Sequence, residues 1–487
     1  MPQARAPDAD ATQMQQQETL TVRAPDADAC ALPPSVFSLF AHNKRFILLA
    51  AAFVSLLVPV TDTIILPTLA DLSVSSLPGA SVDGAAALVS AYMACVGLAT
   101  LVWGPLSDTY GRRPPLALSL ALYTACTIAC IFAPTMGALI ALRALQGCVT
   151  GASIAVTQGV VADAFAPEER GFALGVYFQP LLLGPIVAPV VGGLLSAALD
   201  WRGIFILLAA LAPPLLALVL AMPETQHYAV AAARRAAQPS APPLAEELSG
   251  ALRAPPAYLP PWTPLLYLID ARIAPYTLLG ATTFGALFSS LVALPLELHS
   301  QFPHYSTAVV GALFLPVGAC MMCSSLLGGR ASDAAAAAAP EQPLRRLPPA
   351  LAAAAVIVPG CLLFGWGFAG GSLPAALAGH CLVGVGQAAY GPGFFSYLSQ
   401  VKQAEAAGAA AAALALSFAS AGVCISAGPP ATAALGVGGW FTVLAAVNVA
   451  ALAWAVADVR GRAGSGKQAA AALPAPPPAP ATEPAAA

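Results

Sequence analysis

The most informative segment of the sequence is Gly104-Pro105-Leu106-Ser107-Asp108-Thr109-Tyr110-Gly111-Arg112-Arg113-Pro114. It places a turn and three charges between two long apolar runs, which predicts a tight loop between two membrane helices. Gly104 permits close approach of two helices, and Gly111 supplies a backbone that can turn with positive φ. The two arginines are expected to hold this loop on the cytoplasmic side of a membrane.

The composition of the chain agrees with a membrane protein. Charged residues make up 9% of the 487 residues, against about a quarter in soluble proteins, and 58% are hydrophobic. The mean hydropathy is +0.77. These values exclude a water-soluble fold. The 20 Lys and Arg form no basic face of the kind that nucleic acids require, so no nucleic-acid partner is expected.

The apolar runs predict an all-α membrane protein, because a helix that crosses a bilayer needs about 20 apolar residues. Twelve transmembrane helices, numbered as spans 1 to 12, are predicted at 46–69, 84–103, 115–134, 137–161, 172–196, 203–222, 274–297, 307–328, 348–369, 373–396, 406–427 and 438–457. A polar, Pro-rich segment divides them into two six-helix bundles. The predicted regions are a disordered tail at 1–45, the first bundle at 46–225, a central cytoplasmic loop at 226–272, the second bundle at 273–459 and a disordered tail at 460–487.

The basic residues predict the orientation. With the amino terminus in the cytoplasm, every Lys and Arg outside the spans faces the cytoplasm except Arg202, and only Arg143 lies within a span. This bias supports both the twelve-span count and two cytoplasmic termini, because losing or adding one span would invert every later loop.

Two motifs resemble those of the major facilitator superfamily. Gly-x-Leu-x-Asp-x-x-Gly-Arg-Arg, from Gly104 to Arg113, is similar to the loop between helices 2 and 3 of that family. Arg143, Gln146 and Gly147 match an Arg-x-x-Gln-Gly motif on helix 4, whose Arg the resemblance implicates in proton coupling. A structural Arg that extends to the outer interface is the alternative.

Span 5 narrows the resemblance. Its glycines and prolines permit close packing and local bending, and the order Gly-Pro-x-x-x-Pro-x-x-Gly-Gly resembles the antiporter motif of the twelve-span drug:proton antiporters of the fungal multidrug or quinidine-resistance type. The matching residues are Gly184, Pro185, Pro189, Gly192 and Gly193. Asp163 before the span and Pro223-Glu224-Thr225 after span 6 also fit these fungal members.

The resemblance implies a cytoplasmic latch made of Gly104, Asp108, Gly111, Arg112 and Asp163. Asp108 is expected to lie against the start of span 11, near Glu405, and Arg112 is expected to pair with Asp163.

Asp62 and Arg143 are predicted to form the proton-coupling pair, because each lies about 10 Å below the outer end of its span at about 1.5 Å per residue. Asp62 is the only carboxylate well inside any predicted span, and its alternative place is the watery mouth of the cavity. Other polar residues inside spans are expected either to line the substrate cavity or to bond neighbouring helices. They are Gln146, Gln179, His380 and Gln387.

The predicted function is a proton-coupled exporter, or antiporter, of small amphipathic and often cationic compounds that works by alternating access. An uptake symporter or uniporter for a metabolite is the nearest alternative, and a non-transporting membrane sensor is another. The expected partners are the lipid bilayer, protons and a small-molecule substrate, with a monomer as the working unit in the plasma membrane or an internal one. No enzyme motif, cofactor or metal is expected, although Cys320 and Cys323 have the spacing of a metal or redox pair.

Overall fold

A computed structural model describes residues 43–165, 167–227, 229–230, 260, 262–338, 342–401 and 406–471. Throughout these residues the regular structure is helical, and they contain no strand. The first half comprises α1 (Lys44–Thr63), α2 (Leu69–Ser73), α3 (Val82–Tyr110), α4 (Arg113–Ile131), α5 (Met136–Ala164), α6 (Pro167–Leu199) and α7 (Arg202–Ala221). The second half comprises α8 (Ala274–Gln301), α9 (Thr307–Ala312), α10 (Leu315–Ala337), α11 (Leu347–Ala355), α12 (Ile357–Ala369), α13 (Leu373–Val401) and α14 (Ala406–Ala471). Short 3₁₀ helices lie at Leu66–Thr68, Thr263–Ile269 and Pro343–Arg346.

The described residues contain ten helical segments that are long and apolar enough to cross a membrane. One of them, Gly408–Arg462, is 55 residues long and is broken at Gly436, where φ is 72°. The 29-residue α13 is not among the ten, and it contains the polar residues His380 and Gln387. The all-α membrane fold is therefore confirmed, whereas the count of twelve spans stays a prediction that the break in α14 and the length of α13 support.

The two halves are built alike. In the first half α3 packs along α5, and in the second α10 packs along α13. The halves meet where α3 lies against α14 and where α6 lies against α9 and α10. Glycines make these contacts close: a Cβ on Gly193 would stand 2.5 Å from the carbonyl oxygen of Thr307, and one on Gly97 would stand 2.9 Å from the Cβ of Phe418.

The helix ends define two faces of the molecule. The basic face carries Lys44 at the start of α1 and Arg112 between α3 and α4. The opposite face carries the link between α1 and α3, which includes Asp71. Here the Thr307 hydroxyl donates a hydrogen bond of 2.6 Å to the carboxylate of Asp71 and so joins the two halves.

The stretch from Gly104 to Pro114 is mainly helix, not the predicted loop. α3 continues to Tyr110, so Gly111 and Arg112 form the whole connection to α4. The hydroxyls of Ser107 and Thr109 bond to carbonyls three or four residues earlier, one of them that of Pro105, and these bonds lie along the helix. Gly111 has a φ of +92°, as predicted, whereas a Cβ on Gly104 would meet nothing within 4 Å.

Two of the predicted polar regions contain helical segments. α14 extends to Ala471, so the first part of the predicted disordered tail at 460–487 is helical. Within the predicted central loop, the 3₁₀ helix Thr263–Ile269 packs on α14, and a Cβ on Gly408 would lie 3.0 Å from the Tyr267 ring. The Arg462 guanidinium donates to the carbonyl of Ala271, which ties these two segments together. Residues 1–42 and 472–487 lie outside the described chain.

Candidate functional site

Arg143 is the centre of a buried polar network in the first half. It lies on α5 with none of its surface exposed. Its Nη1 donates to the Thr61 carbonyl at 3.2 Å and to Gln146 Oε1 at 2.7 Å, and its Nε donates to the Leu88 carbonyl at 3.4 Å. The guanidinium also lies 4.4 Å from the centre of the Tyr92 ring. A charge without water needs several such partners, so Arg143 does not extend to the interface as the alternative required.

The network continues through neutral groups to α4 and back to α1. Gln146 Nε2 donates to the Thr127 hydroxyl at 2.7 Å, and that hydroxyl donates to the Tyr123 carbonyl at 2.7 Å. The Tyr123 and Thr61 hydroxyls are 2.6 Å apart. This network joins α1, α4 and α5 around one guanidinium. Gln146 is fully buried and bonds within the network, so its predicted role in the substrate cavity stays a prediction.

Asp62 lies beside the network in the last turn of α1. Only 2% of its surface is exposed, so it is buried and not at a watery mouth. Its Oδ1 is enclosed and accepts no hydrogen bond, and Arg143 Nη2 is likewise enclosed without a partner. Within the described chain no ion pair joins the two side chains, although Arg143 is close enough to act on Asp62 electrostatically.

The arrangement of Asp62 and Arg143 allows the binding of a proton or an ion. A buried carboxyl and a buried guanidinium each keep one atom uncommitted, and they are separated by more than a salt-bridge distance. Burial disfavours a charged carboxylate, whereas a nearby guanidinium favours it. A shift of α1 relative to α5 would therefore change whether the acid holds its proton.

α6 packs against the part of the chain that carries Asp62. A Cβ on Gly184 would lie 2.7 Å from Pro59 Cβ, and a Cβ on Gly192 would overlap the Ile64 carbonyl oxygen. The predicted close packing of these two glycines is therefore present, and it encloses the segment on both sides of Asp62. Pro185 and Pro189 lie inside α6, and Gly193 faces the second half.

A second polar cluster lies on the basic face around Arg112. Its Nε donates to Asp163 at 2.8 Å, and its Nη1 lies 2.5 Å from Asp108 and 2.8 Å from the Ser107 hydroxyl. Burial alone would lower the pKa of Arg112, but the carboxylates of Asp163 and Asp108 outweigh it and raise that pKa. The predicted Arg112–Asp163 pair is present. Asp108 also pairs with Arg112, whereas its expected neighbour Glu405 lies outside the described residues.

Glu224 completes this cluster and was not among the predicted site residues. Its carboxylate accepts the backbone N–H groups of Arg112 and Arg113 at 2.7 and 3.0 Å, and also those of Thr225 and Gln226. It thereby caps the start of α4, where a negative charge is favourable. A Cβ on Gly111 would lie 2.8 Å from Glu224, so this cap requires glycine there. The sequence motif Pro223-Glu224-Thr225 indicated that Glu224 belongs to this family-like region, but not that it caps α4.

The other polar residues predicted for the cavity differ in burial and in hydrogen-bond partners. In the second half, His380 is buried and its Nδ1 lies 3.1 Å from the Ser290 hydroxyl, while its Nε2 has no partner. Gln387 is half-buried and accepts the Thr283 hydroxyl at 2.5 Å. Gln179 is exposed on α6. Gln146 and His380 are thus bonded inside separate halves, and a substrate cavity shared by the four residues stays a prediction.

The described residues hold no group of three or more His, Cys, Asp or Glu side chains that could bind a metal ion. Cys320 and Cys323 are free thiols on α10.

The sequence of this chain matches a known protein family. The family model of the Major Facilitator Superfamily matches residues 51–427. The MFS antiporter QDR3 of Candida albicans is 37% identical over 159 residues, which is 33% of this chain and 22% of that protein. Citrate exporter 1 of Aspergillus niger is 31% identical over 202 residues, which is 41% of this chain and 38% of that protein.

Polyamine transporter 3 of Saccharomyces cerevisiae is 36% identical over 115 residues, which is 23% of this chain and 18% of that protein. The aligned part of the chain thus spans about a fifth to two fifths of these curated relatives. Among solved structures, a D-xylose-proton symporter superposes with a TM-score of 0.63 at 18% identity, covering 84% of this chain and 96% of that one. This likeness shows the shared fold.

Proposed function

The chain belongs to the major facilitator superfamily, and we propose that it is a proton-coupled exporter of small amphipathic, often cationic compounds. In this proposal the two halves rock about a central substrate path and expose it to each face in turn. The basic face is the cytoplasmic one, both termini are cytoplasmic, and the protein works as a monomer in the plasma membrane or an internal membrane.

The observation that carries the proposal is the buried Asp62 beside the Arg143 network. A carboxyl that is 2% exposed and has an uncommitted oxygen is suited to carry a proton across a change of state. When α1 and α5 shift, the distance between Asp62 and Arg143 changes, and the carboxyl takes up or releases its proton. A cationic substrate that competes for the same carboxylate gives exchange of substrate for proton.

Two further findings support coupled transport of cations. The names of the similar QDR3 and Polyamine transporter 3 proteins describe an antiporter and a transporter of polyamines, which are cations. In addition, Gly184 and Gly192 hold α6 tightly against the segment that carries Asp62, so a movement of α6 acts directly on the coupling residue.

A second candidate is export of a carboxylate anion, in which the free Nη2 of Arg143 binds the substrate. The uncommitted Nη2 and the similarity to Citrate exporter 1 favour it. An uptake symporter or uniporter is the remaining alternative within transport, and it differs in the direction of flux relative to the proton gradient.

The test uses proteoliposomes of the purified chain with an imposed pH gradient. Flux of ethidium and of citrate is followed, the first as a cation and the second as an anion. Antiport predicts that ethidium moves against the direction of proton flow and that the flux stops when the gradient is collapsed. Asp62→Asn is expected to reduce gradient-driven flux by at least about 100-fold and to retain downhill exchange.

Asp83→Asn is the matched control, because Asp83 is an exposed carboxylate in the first turn of α3. It should transport like the wild type. Full gradient-driven flux in Asp62→Asn overturns the role of Asp62, flux of citrate alone favours the anion exporter, and flux in the same direction as protons favours the symporter.

A further inference from the structure

A cavity of about 270 Å³ lies between the two halves at the opposite face. The first half contributes Ser73 at the end of α2, Val74 directly after it, and Val82 at the start of α3. The second half contributes the last turns of α8 and the stretch of α14 around Pro429. Neither Asp62 nor Arg143 lines it, so this cavity is separate from the buried network.

The wall of the cavity is apolar and contains one carboxylate. Val292, Leu296 and Ile425 supply much of the apolar surface. Glu297 is half-buried at the wall, and its Oε2 accepts a hydrogen bond of 3.0 Å from Gln301. Within the described chain its Oε1 accepts none. One negatively charged group in an apolar wall favours a ligand that carries one positive charge on an apolar body.

An indole ring also lines the cavity. Trp440 borders the cavity, and its Nε1 donates to the Ser289 hydroxyl at 2.9 Å. This bond fixes the ring, which is only 9% exposed. Indole is the aromatic side chain that binds organic cations best, because its face is electron-rich.

The charges around the cavity exclude an anion. No Lys or Arg is among the described residues that line it, and His299 is the other titratable lining residue. Two exposed carboxylates, Asp71 and Asp83, lie on the same face. The one described arginine of this face, Arg202, is paired with Asp200 at 3.2 Å.

We propose that this cavity is a second ligand site, entered from the opposite face, for a small organic ammonium or pyridinium ion. Glu297 neutralises the charge, Trp440 contacts the flat or methylated cationic group, and the aliphatic wall receives the apolar body. Its volume is near the lower limit of about 300 Å³ for ligand pockets, so it suits small ions and not large drugs. The site does not depend on the exporter proposal, because both halves form it whatever the direction of transport.

The test is equilibrium binding of radiolabelled 1-methyl-4-phenylpyridinium to the full chain in nanodiscs. It is carried out in an Asp62→Asn background as well as in the wild type, so that binding at the buried network is removed. In that background Glu297→Gln is expected to weaken binding at least tenfold, and Trp440→Phe is expected to weaken it about threefold. Asp83→Asn, which makes the same charge change outside the cavity, should bind normally.

A second variant guards against misfolding of the first. Ser73→Trp fills the cavity from the first half and keeps Glu297, and it is expected to abolish the same binding. Monodisperse elution of each variant checks the fold. Unchanged affinity in both Glu297→Gln and Ser73→Trp overturns the proposal. Loss of transport in Asp62→Asn with persistent, Glu297-dependent binding supports both sites, whereas normal transport with that binding overturns only the exporter mechanism.

Discussion

The two halves have a similar arrangement of helices but differ in the buried polar residue that each carries at its centre. α5 in the first half and α13 in the second each pack along an equivalent partner helix, and each carries a buried polar residue. On α5 it is Arg143, with three hydrogen-bond acceptors and Asp62 nearby. On α13 it is His380, with one bond to Ser290 and two aromatic neighbours. Under the proposed function, this contrast assigns energy coupling to the first half, because among the described residues the buried polar residue of α13 has no charged neighbour comparable to Asp62.

The two halves also differ on the basic face, in the arginine that pairs with a corresponding aspartate. Ser107 and Asp108 at the end of α3 correspond to Ser332 and Asp333 near the end of α10. In the first half the partner of the Asp is Arg112, four residues later, and in the second it is Arg346, from the following 3₁₀ helix, at 2.7 Å. Tertiary packing thus restores the Asp–Arg pair that the degenerate sequence of the second half lacks.

The largest expected effect comes from breaking the buried polar network around Arg143. Arg143→Leu should reduce gradient-driven flux by at least about 100-fold, because Asp62 loses the charge that acts on it. His380→Leu should reduce flux by less than about fivefold, as the loss of one neutral hydrogen bond implies. Arg143→Lys, which keeps the charge without the branched contacts, should be intermediate. Flux in proteoliposomes is the measurement.

Equal losses in Arg143→Leu and His380→Leu contradict the assignment of coupling to the first half. A larger loss in His380→Leu transfers the coupling role to the second half.

The next effect concerns helix packing. Gly192→Ala should destabilise the protein by at least about 1–3 kcal/mol, because the new Cβ would overlap the carbonyl oxygen of Ile64. Gly428 on α14 is the matched position, since its nearest neighbour would be Trp440 Nε1 at 3.9 Å. Gly428→Ala should be neutral or slightly stabilising. Thermal unfolding in detergent compares the two, and similar melting temperatures show that α6 is not packed more tightly than α14.

The smallest effect concerns the two Asp–Arg pairs. Arg112→Gln should cost about 1–3 kcal/mol, because Arg112 and Asp163 are largely buried and Glu224 stands close by. Arg346→Gln should cost at most about 1 kcal/mol, because Asp333 is 75% exposed and water screens the pair. Thermal unfolding of both variants tests the ranking, and a larger loss in Arg346→Gln reverses it.

The pH dependence of this difference sharpens the test. The pKa of Arg112 is raised in the folded state. A raised pKa on a cation gives stability that is complete below the unfolded-state pKa and is lost only as the pH rises through the folded-state value. The unfolded-state and folded-state pKa values of Arg112 both lie above this experimental window. The stability that Arg112 contributes should therefore not fall as the pH is raised from about 6 to 9. A fall within that window contradicts the assignment.

Much of the fold followed from local sequence. The apolar runs predicted the membrane helices because length and hydropathy are properties of consecutive residues. Gly111 predicted the positive φ of the turn, since glycine adopts it without a steric cost. The Arg112–Asp163 pair followed from the family resemblance. The extent of α3 was misjudged because Pro105 and four polar residues resemble a loop, although hydroxyl groups can bond along a helix.

The hydrogen-bond partners of the buried polar groups, in contrast, followed from the packing of the helices. Sequence alone determined that Asp62 and Arg143 lie inside the membrane helices. It could not determine that Gln146 is committed to Arg143, that Glu224 caps α4 or that Arg346 serves Asp333. Each of these contacts except the first joins residues on different segments. The physical reason is that helix periodicity is set within four residues, whereas the partner of a buried polar group is set by which helices pack together.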